Sequence, residues 1–150
     1  MSEHEHWMRK AIDLAHRCPP SEAAYSVGAV IVAEDGTELS TGYSRETDEQ
    51  VHAEEAALAK LAGDDPRLKN ATMYSTLEPC SQRASRPKPC AELILDAGIP
   101  RVVIAWREPS LFVENRAGVE LLERHGVTVI ELSDLADEAM APNAHLKLDR

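Results

Sequence analysis

Aromatic side chains are scarce in this 150-residue chain, with one Phe, two Trp and three Tyr. Its core must therefore be aliphatic, and a hydrophobic content of 43% supplies one. Basic residues are also short. Sixteen Lys and Arg stand against 26 Asp and Glu, a formal net charge of −10. That balance argues against a nucleic-acid binder, which needs a basic stripe to neutralise phosphates. It argues equally against docking on anionic lipid. No apolar run approaches the roughly 20 residues that cross a bilayer. The opening MSEHEHW is polar and acidic, unlike an export signal, so the expected location is the cytoplasm. Three cysteines, an odd count in such a chain, argue against a disulfide framework and for metal binding or catalysis by a clustered pair.

There is no repeat, low-complexity tract or long linker, and residues 1–150 read as one domain. Residues 3–17 read as a helix stopped by Cys18-Pro19-Pro20. Ser26 to Ala33 reads as a buried strand, Glu34-Asp35-Gly36 as a turn, and Glu38 to Tyr43 as the antiparallel partner. His52 to Ala62 is rich in helix formers, with Gly63 as its expected end. Strands are expected at Ala71 to Thr76, Arg101 to Ala105 and Val127 to Ile130. Helices are expected at Pro89 to Ala97, closed by Gly98, and at Ala117 to His125, closed by Gly126. A last helix should start from Ser133 as N-cap. The strands near 101 and 127 are apolar on both sides, as in covered parallel strands. A hairpin followed by alternating strand and helix gives an α/β fold, a mixed sheet with helices on both faces.

Among six histidines, His52 alone has a Glu two residues later, Glu54. Cys80 and Cys90 each follow a proline. One imidazole and two thiolates make a three-ligand zinc site with its fourth position open to water or substrate, and Glu54 is then a proton carrier and not a ligand. His52, Glu54 and Cys90 fall at expected helix starts, whose partial positive charge favours thiolate and hydroxide. Each feature has a bland counterpart: a surface helix start for His52-Ala53-Glu54, a packing thiol for each cysteine. Their order is the informative part, since H-x-E, then Pro-Cys, then a second Cys is the zinc deaminase signature with a longer insert between its cysteines.

His52-Ala53-Glu54, Thr76-Leu77-Glu78-Pro79-Cys80-Ser81 and Pro89-Cys90 resemble the zinc-dependent cytidine and deoxycytidylate deaminase superfamily over roughly residues 5–132. Within it the chain is most similar to the pyrimidine deaminase domain of the riboflavin-biosynthesis deaminase/reductase. Shared features are the T-L-E-P-C-S segment, the basic, Pro-containing stretch Ser81 to Pro89, and Gly98-Ile99-Pro100-Arg101-Val102-Val103. The resemblance implies a three-layer α/β/α sandwich with a five-stranded mixed sheet. It implies zinc held by His52, Cys80 and Cys90, Glu54 as catalytic proton shuttle, and a homodimer or larger homo-oligomer. The chain also departs from that pattern. Ala24 stands where the relatives place a substrate-binding Asn, Ser44 or Arg45 where they place a His, and the insert between the cysteines is one residue longer. The length leaves no room for the reductase domain.

Glu78 is expected to brace the turn that aims Cys80. Arg83, Arg86 and Lys88 form a basic island between the two cysteines, either solvated or in contact with an anionic group of the substrate. Tyr25, Ala29, Arg45, Trp106 and Phe112 are candidates to line the pocket, with core packing as the alternative for the aromatics. Cys18 reads as a packing thiol, His4 and His6 as part of a frayed N-terminus, and His16, His125 and His145 as structural. The expected activity is hydrolytic deamination of a small amino-pyrimidine or related heterocycle, of the riboflavin or deoxycytidylate type. A free base, nucleoside or specialised metabolite such as guanine or cytosine is the alternative substrate. A catalytically silent zinc-bearing binding module is the alternative role.

Overall fold

A strand without a polar side chain needs cover on both faces, and β1 (Gly28–Val32) is buried along its whole length. The computed structural model describes residues 2–21, 24–79, 89–107 and 118–146. β1 lies between β2 (Glu38–Tyr43) and β3 (Thr72–Leu77), antiparallel to both. β4 (Arg101–Trp106) and β5 (Thr128–Glu131) continue the sheet in parallel, giving the order β2-β1-β3-β4-β5. This is the five-stranded mixed sheet that the family resemblance implies.

Two glycines fix the spacing of the helical layers. A Cβ at Gly28 would stand 1.8 Å from the Ala11 carbonyl oxygen of α1 (Glu3–Ala15), so α1 packs directly on the backbone of β1. On the opposite face, a Cβ at Gly42 would stand 2.3 Å from the Ala53 carbonyl oxygen of α2 (Ala53–Ala59). α3 (Cys90–Ala97) neighbours α2, and α4 (Gly118–Arg124) neighbours α3. α5 (Ala136–Met140) joins α1 and meets β3 and β4. Helices thus cover both faces. The core is aliphatic, with Ile31, Met73, Ile94, Ile104 and Leu122 fully buried.

The differences from the sequence reading lie at element ends. α2 stops at Ala59 and Gly63 does not cap it, whereas Gly98 closes α3 in the left-handed region at φ 79°. A 3-10 segment, Pro66–Asn70, capped by the Asp65 carboxylate, fills the gap before β3. Ser133 is not an N-cap: it lies inside the 3-10 turn Ser133–Leu135, and α5 starts only after Leu135. Another 3-10 segment, Ala141–Leu146, follows α5. β5 is not covered like β4, because as the last strand it has one neighbour, and its residues are half-buried or exposed. Nor is the N-terminus frayed at His4. Ser2 Oγ accepts from Glu5 N–H, and His4 Nδ1 lies 2.8 Å from the Tyr74 hydroxyl. Among the described residues no helix is long and apolar enough to cross a membrane.

Candidate active site

β1 begins at the sheet edge where β3 and β4 end, and the first turn of α2 is pressed onto the same edge at Gly42. His52 directly precedes α2, and its backbone N–H donates to the carboxylate of Glu55 at 3.3 Å. Cys90 opens α3 and is fully buried. Across 38 residues of chain, His52 Nδ1 and Cys90 Sγ stand 3.3 Å apart. Two ligands of one tetrahedral zinc, bonded at about 2.0–2.1 Å to nitrogen and about 2.3 Å to sulfur, lie about 3.5 Å apart. Donor chemistry and spacing therefore both fit zinc. No group of three ligating side chains assembles among the described residues, and Cys80 lies outside them. Glu54 follows His52 by two positions in the first turn of α2 and is 4% exposed, a carboxylate withheld from bulk water.

Glu78, expected to brace the turn at Cys80, which lies outside the described residues, reaches the start of α4. Its Oε2 accepts the Val119 N–H at 2.8 Å, in the first turn of α4, and its own backbone N–H donates to the Trp106 carbonyl oxygen at 3.0 Å. A Cβ at Gly118 would stand 1.9 Å from the Pro79 carbonyl oxygen. The segment Glu78-Pro79, one residue short of Cys80, is thus seated against the start of α4.

The expected pocket residues separate into groups. Tyr25 and Trp106 meet edge to face, ring centroids 5.7 Å apart at 89°, and each is at least nine-tenths buried. Register places Trp106 beside Leu77, two residues beyond the row Gly42–Ala29–Ser75–Ile104, so its side chain shares the face covered by α2. Nε1 of Trp106 is buried without a hydrogen-bond partner among the described residues. Ala29 lies inside β1, fully buried between Gly42 and Ser75.

All three guanidinium nitrogens of Arg45, expected as a substrate contact, donate to protein oxygens. Nε and Nη2 reach the Pro19 carbonyl, Nη1 the Tyr25 carbonyl at 3.1 Å, and Nη2 also Ser26 Oγ at 2.8 Å. Burial pushes the Arg45 pKa below the usual guanidinium value. Arg45 also takes a left-handed backbone, φ 61°, with its N–H donating to the Val51 carbonyl at 2.8 Å. A non-glycine residue holds that conformation at a cost of about 1–2 kcal/mol, and here the surrounding hydrogen bonds offset it. Arg83, Arg86, Lys88 and Phe112 lie outside the described residues. Cys18 is half-buried, its thiol directed at the Val27 carbonyl at 3.5 Å, and burial raises its pKa.

The residue that sequence reasoning missed is Asn143. It is fully buried, and its amide takes both backbone groups of Ser26: Oδ1 accepts the N–H at 2.6 Å and Nδ2 donates to the carbonyl at 3.0 Å. An Asn in a polar C-terminal stretch carries no pattern that announces this. The one local signal is Pro142, which breaks the helical reading just before it.

Residues 1–106 match the family described as the cytidine and deoxycytidylate deaminase zinc-binding region. The chain belongs to that family. Zinc-dependent deaminase chemistry, read from the order of His52, Glu54 and the two cysteines, is this family's chemistry. Among its relatives is the diaminohydroxyphosphoribosylamino-pyrimidine deaminase of Schizosaccharomyces pombe, 43% identical over 139 residues, which cover 91% of this chain and 34% of that protein. Escherichia coli riboflavin biosynthesis protein RibD is 38% identical over 126 residues, 83% of this chain and 32% of RibD. The chain therefore spans about a third of the length of these curated relatives. Acinetobacter baumannii RibD superposes with a TM-score of 0.81 at 34% identity, covering 97% of this chain and 39% of that one. The Aspergillus oryzae Rib2 deaminase superposes with a TM-score of 0.75 at 25% identity, covering 98% of this chain and all of the other. The α/β/α sandwich and the likeness to riboflavin-type deaminases are both borne out.

Proposed function

We propose that this chain hydrolyses the exocyclic amine of a phosphoribosylated diaminopyrimidine of the riboflavin type, releasing ammonia. The observation that carries the reading is the meeting of His52 Nδ1 and Cys90 Sγ at 3.3 Å beside the buried Glu54. The relatives whose names specify such a pyrimidine support the substrate class. Cys80 completes the ligand set in this reading, and the basic residues Arg83, Arg86 and Lys88 meet the substrate phosphate. When bound, zinc supplies water acidified to near neutral pH. Glu54 accepts a proton from the attacking water and delivers it to the ring nitrogen next to the attacked carbon. The same carboxylate then takes the remaining proton of the added hydroxyl, as its C=O forms, and carries it to the departing amine. The balance is one C–N bond broken, one C–O bond formed, water consumed and ammonia released. Burial suits Glu54 to this work, because a carboxylate shielded from water gives up its proton inside the site.

The test is an ammonia-release assay of the zinc-loaded protein on the phosphoribosylated diaminopyrimidine, its dephosphorylated form, cytosine, cytidine, deoxycytidylate and guanine. Turnover should be fastest on the phosphorylated diaminopyrimidine, and fastest turnover on a free base overturns the substrate class. Glu54→Ala should keep one zinc per chain and lose at least about 10²-fold in rate, the usual range for a general acid–base. A homo-oligomer belongs to the same reading and is checked by light scattering.

A further inference from the structure

Two separate stretches of the chain, at Ser44-Arg45 and in the segment Ala141–Leu146, converge on Pro19, Ser21 and residues 25–27. Arg45, just beyond β2, donates to the carbonyls of Pro19 and Tyr25 and to Ser26 Oγ. Asn143 takes the Ser26 N–H and carbonyl together. His145 Nε2 lies 2.6 Å from the Ser21 carbonyl. Val27 is tied in turn to Ser44, whose Oγ accepts the Val27 N–H at 3.0 Å and whose N–H donates to the Val27 carbonyl. Arg45 and Asn143 meet backbone groups of Tyr25 and Ser26, and the Tyr25 ring meets Trp106 edge to face. Arg45 further joins this segment to Val51, the neighbour of His52.

We propose that Asn143 is a positioning residue for substrate: it sets the Tyr25–Trp106 wall of the pocket by holding the peptide groups of Ser26. An amide side chain that fills a donor and an acceptor of one residue fixes both the place and the rotation of that residue. A lone donor would leave it free to turn about the bond. At 2.6 Å and 3.0 Å, in a fully buried position, neither bond is replaced by water when the amide is removed. The wall lies at the sheet edge and on the face where α2 and α3 bring His52 and Cys90 together. The Trp106 Nε1, buried without a partner among the described residues, is the feature a wall completed by a ligand's acceptor would show. Asn143 lies outside the family match over residues 1–106, so the 3-10 segment Ala141–Leu146 contributes to the site from beyond it.

The inference rests on the deaminase reading for the identity of the substrate and on the geometry alone for the wall. The experiment separates the two. In a Trp7→Phe background, Trp106 is the sole tryptophan and reports on the wall by its emission. Asn143→Ala should shift that emission and raise KM for the pyrimidine about tenfold, with kcat within about twofold and bound zinc unchanged, since a loosened wall weakens binding without touching Glu54 or His52. Asn143→Asp keeps the shorter bond, to the Ser26 N–H, and should fall between wild type and Ala in both readouts. A folded Asn143→Ala with unchanged emission and KM overturns the proposal. So does a parallel loss of kcat and zinc, which marks a general structural role. Should Asn143→Ala not fold, Asn143→Asp is measured in the same way, and unaltered emission and KM in that variant overturn it. If the parent protein releases no ammonia from any heterocycle, the deaminase reading fails while the emission shift still decides the place of Asn143.

Discussion

The carbonyl oxygen of Pro79 sets how near α4 can come, and Gly118 is the residue that yields to it. Alanine there would put Cβ 1.9 Å from that oxygen. Gly118→Ala should therefore destabilise the fold by about 1–3 kcal/mol, the usual cost of overpacking, read from urea unfolding. Because Pro79 precedes Cys80, the same variant should hold zinc more weakly in a chelator competition. Glu78→Ala leaves the Val119 N–H buried and unmet, at a cost of about 1–3 kcal/mol, and Glu78→Gln should cost less because an amide oxygen still accepts. At this scale the sequence was legible wherever chemistry depends on residue type. His52 and Cys90 are rare side chains, and with Glu54 they stand in an ordered pattern. Glu78 was legible as a brace but not as a brace of α4, because its partner Val119 is 41 residues away. The acceptors of Arg45 are not legible for the same reason: Pro19, Tyr25 and Ser26 lie 19 to 26 residues away.

Local pattern announced the elements well where periodicity and breakers agreed. α1, β2, β3, α3 and β4 lie within a few residues of their expected bounds, because prolines, Gly36 and Gly98 punctuate the chain around them. Ends set by tertiary contacts were not legible. α2 stops three residues before the expected Ala62, although every residue from Ala53 to Ala62 is compatible with helix. The C-terminal stretch, amphipathic enough to read as one helix, divides into α5 flanked by 3-10 turns, the last of which places Asn143 on Ser26. The start of α1 allows a prediction at this scale. Ser2 caps it through Glu5 N–H, and Ser2→Ala should lower stability by about 1 kcal/mol, seen as a lower thermal midpoint.

For the molecule as a whole, pH stability should show an alkaline limb. Burial and the charge of Glu3 push the Tyr74 phenol up to about 12, from an ordinary 10.0. A group whose folded pKa is raised lends stability that is fully present below its unfolded pKa and is lost as pH rises through the folded one. Stability should hold up to about pH 10 and fall between about pH 10 and 12, and Tyr74→Phe should flatten that fall. Thermal midpoints of the two proteins across this range provide the check, and parallel curves would assign the alkaline loss to other groups. The three-layer plan itself was legible. A hairpin followed by alternating strands and helices admits few topologies, and glycines at 28 and 42 let α1 and α2 close onto the two faces of the sheet.

The sequence by itself determined the family and the plan: a zinc deaminase signature on an aliphatic α/β/α sandwich. Those features are properties of residue type and short spacing, which survive without coordinates. Only the tertiary structure decided which peptide groups are held and by what. Asn143 and Ser26 are 117 positions apart, and Arg45 meets Pro19 across 26. A hydrogen bond to a backbone group leaves no trace in the identity of the residue that receives it, so the Tyr25–Trp106 pair and the bonds beside it became visible only when the sheet edge brought them together.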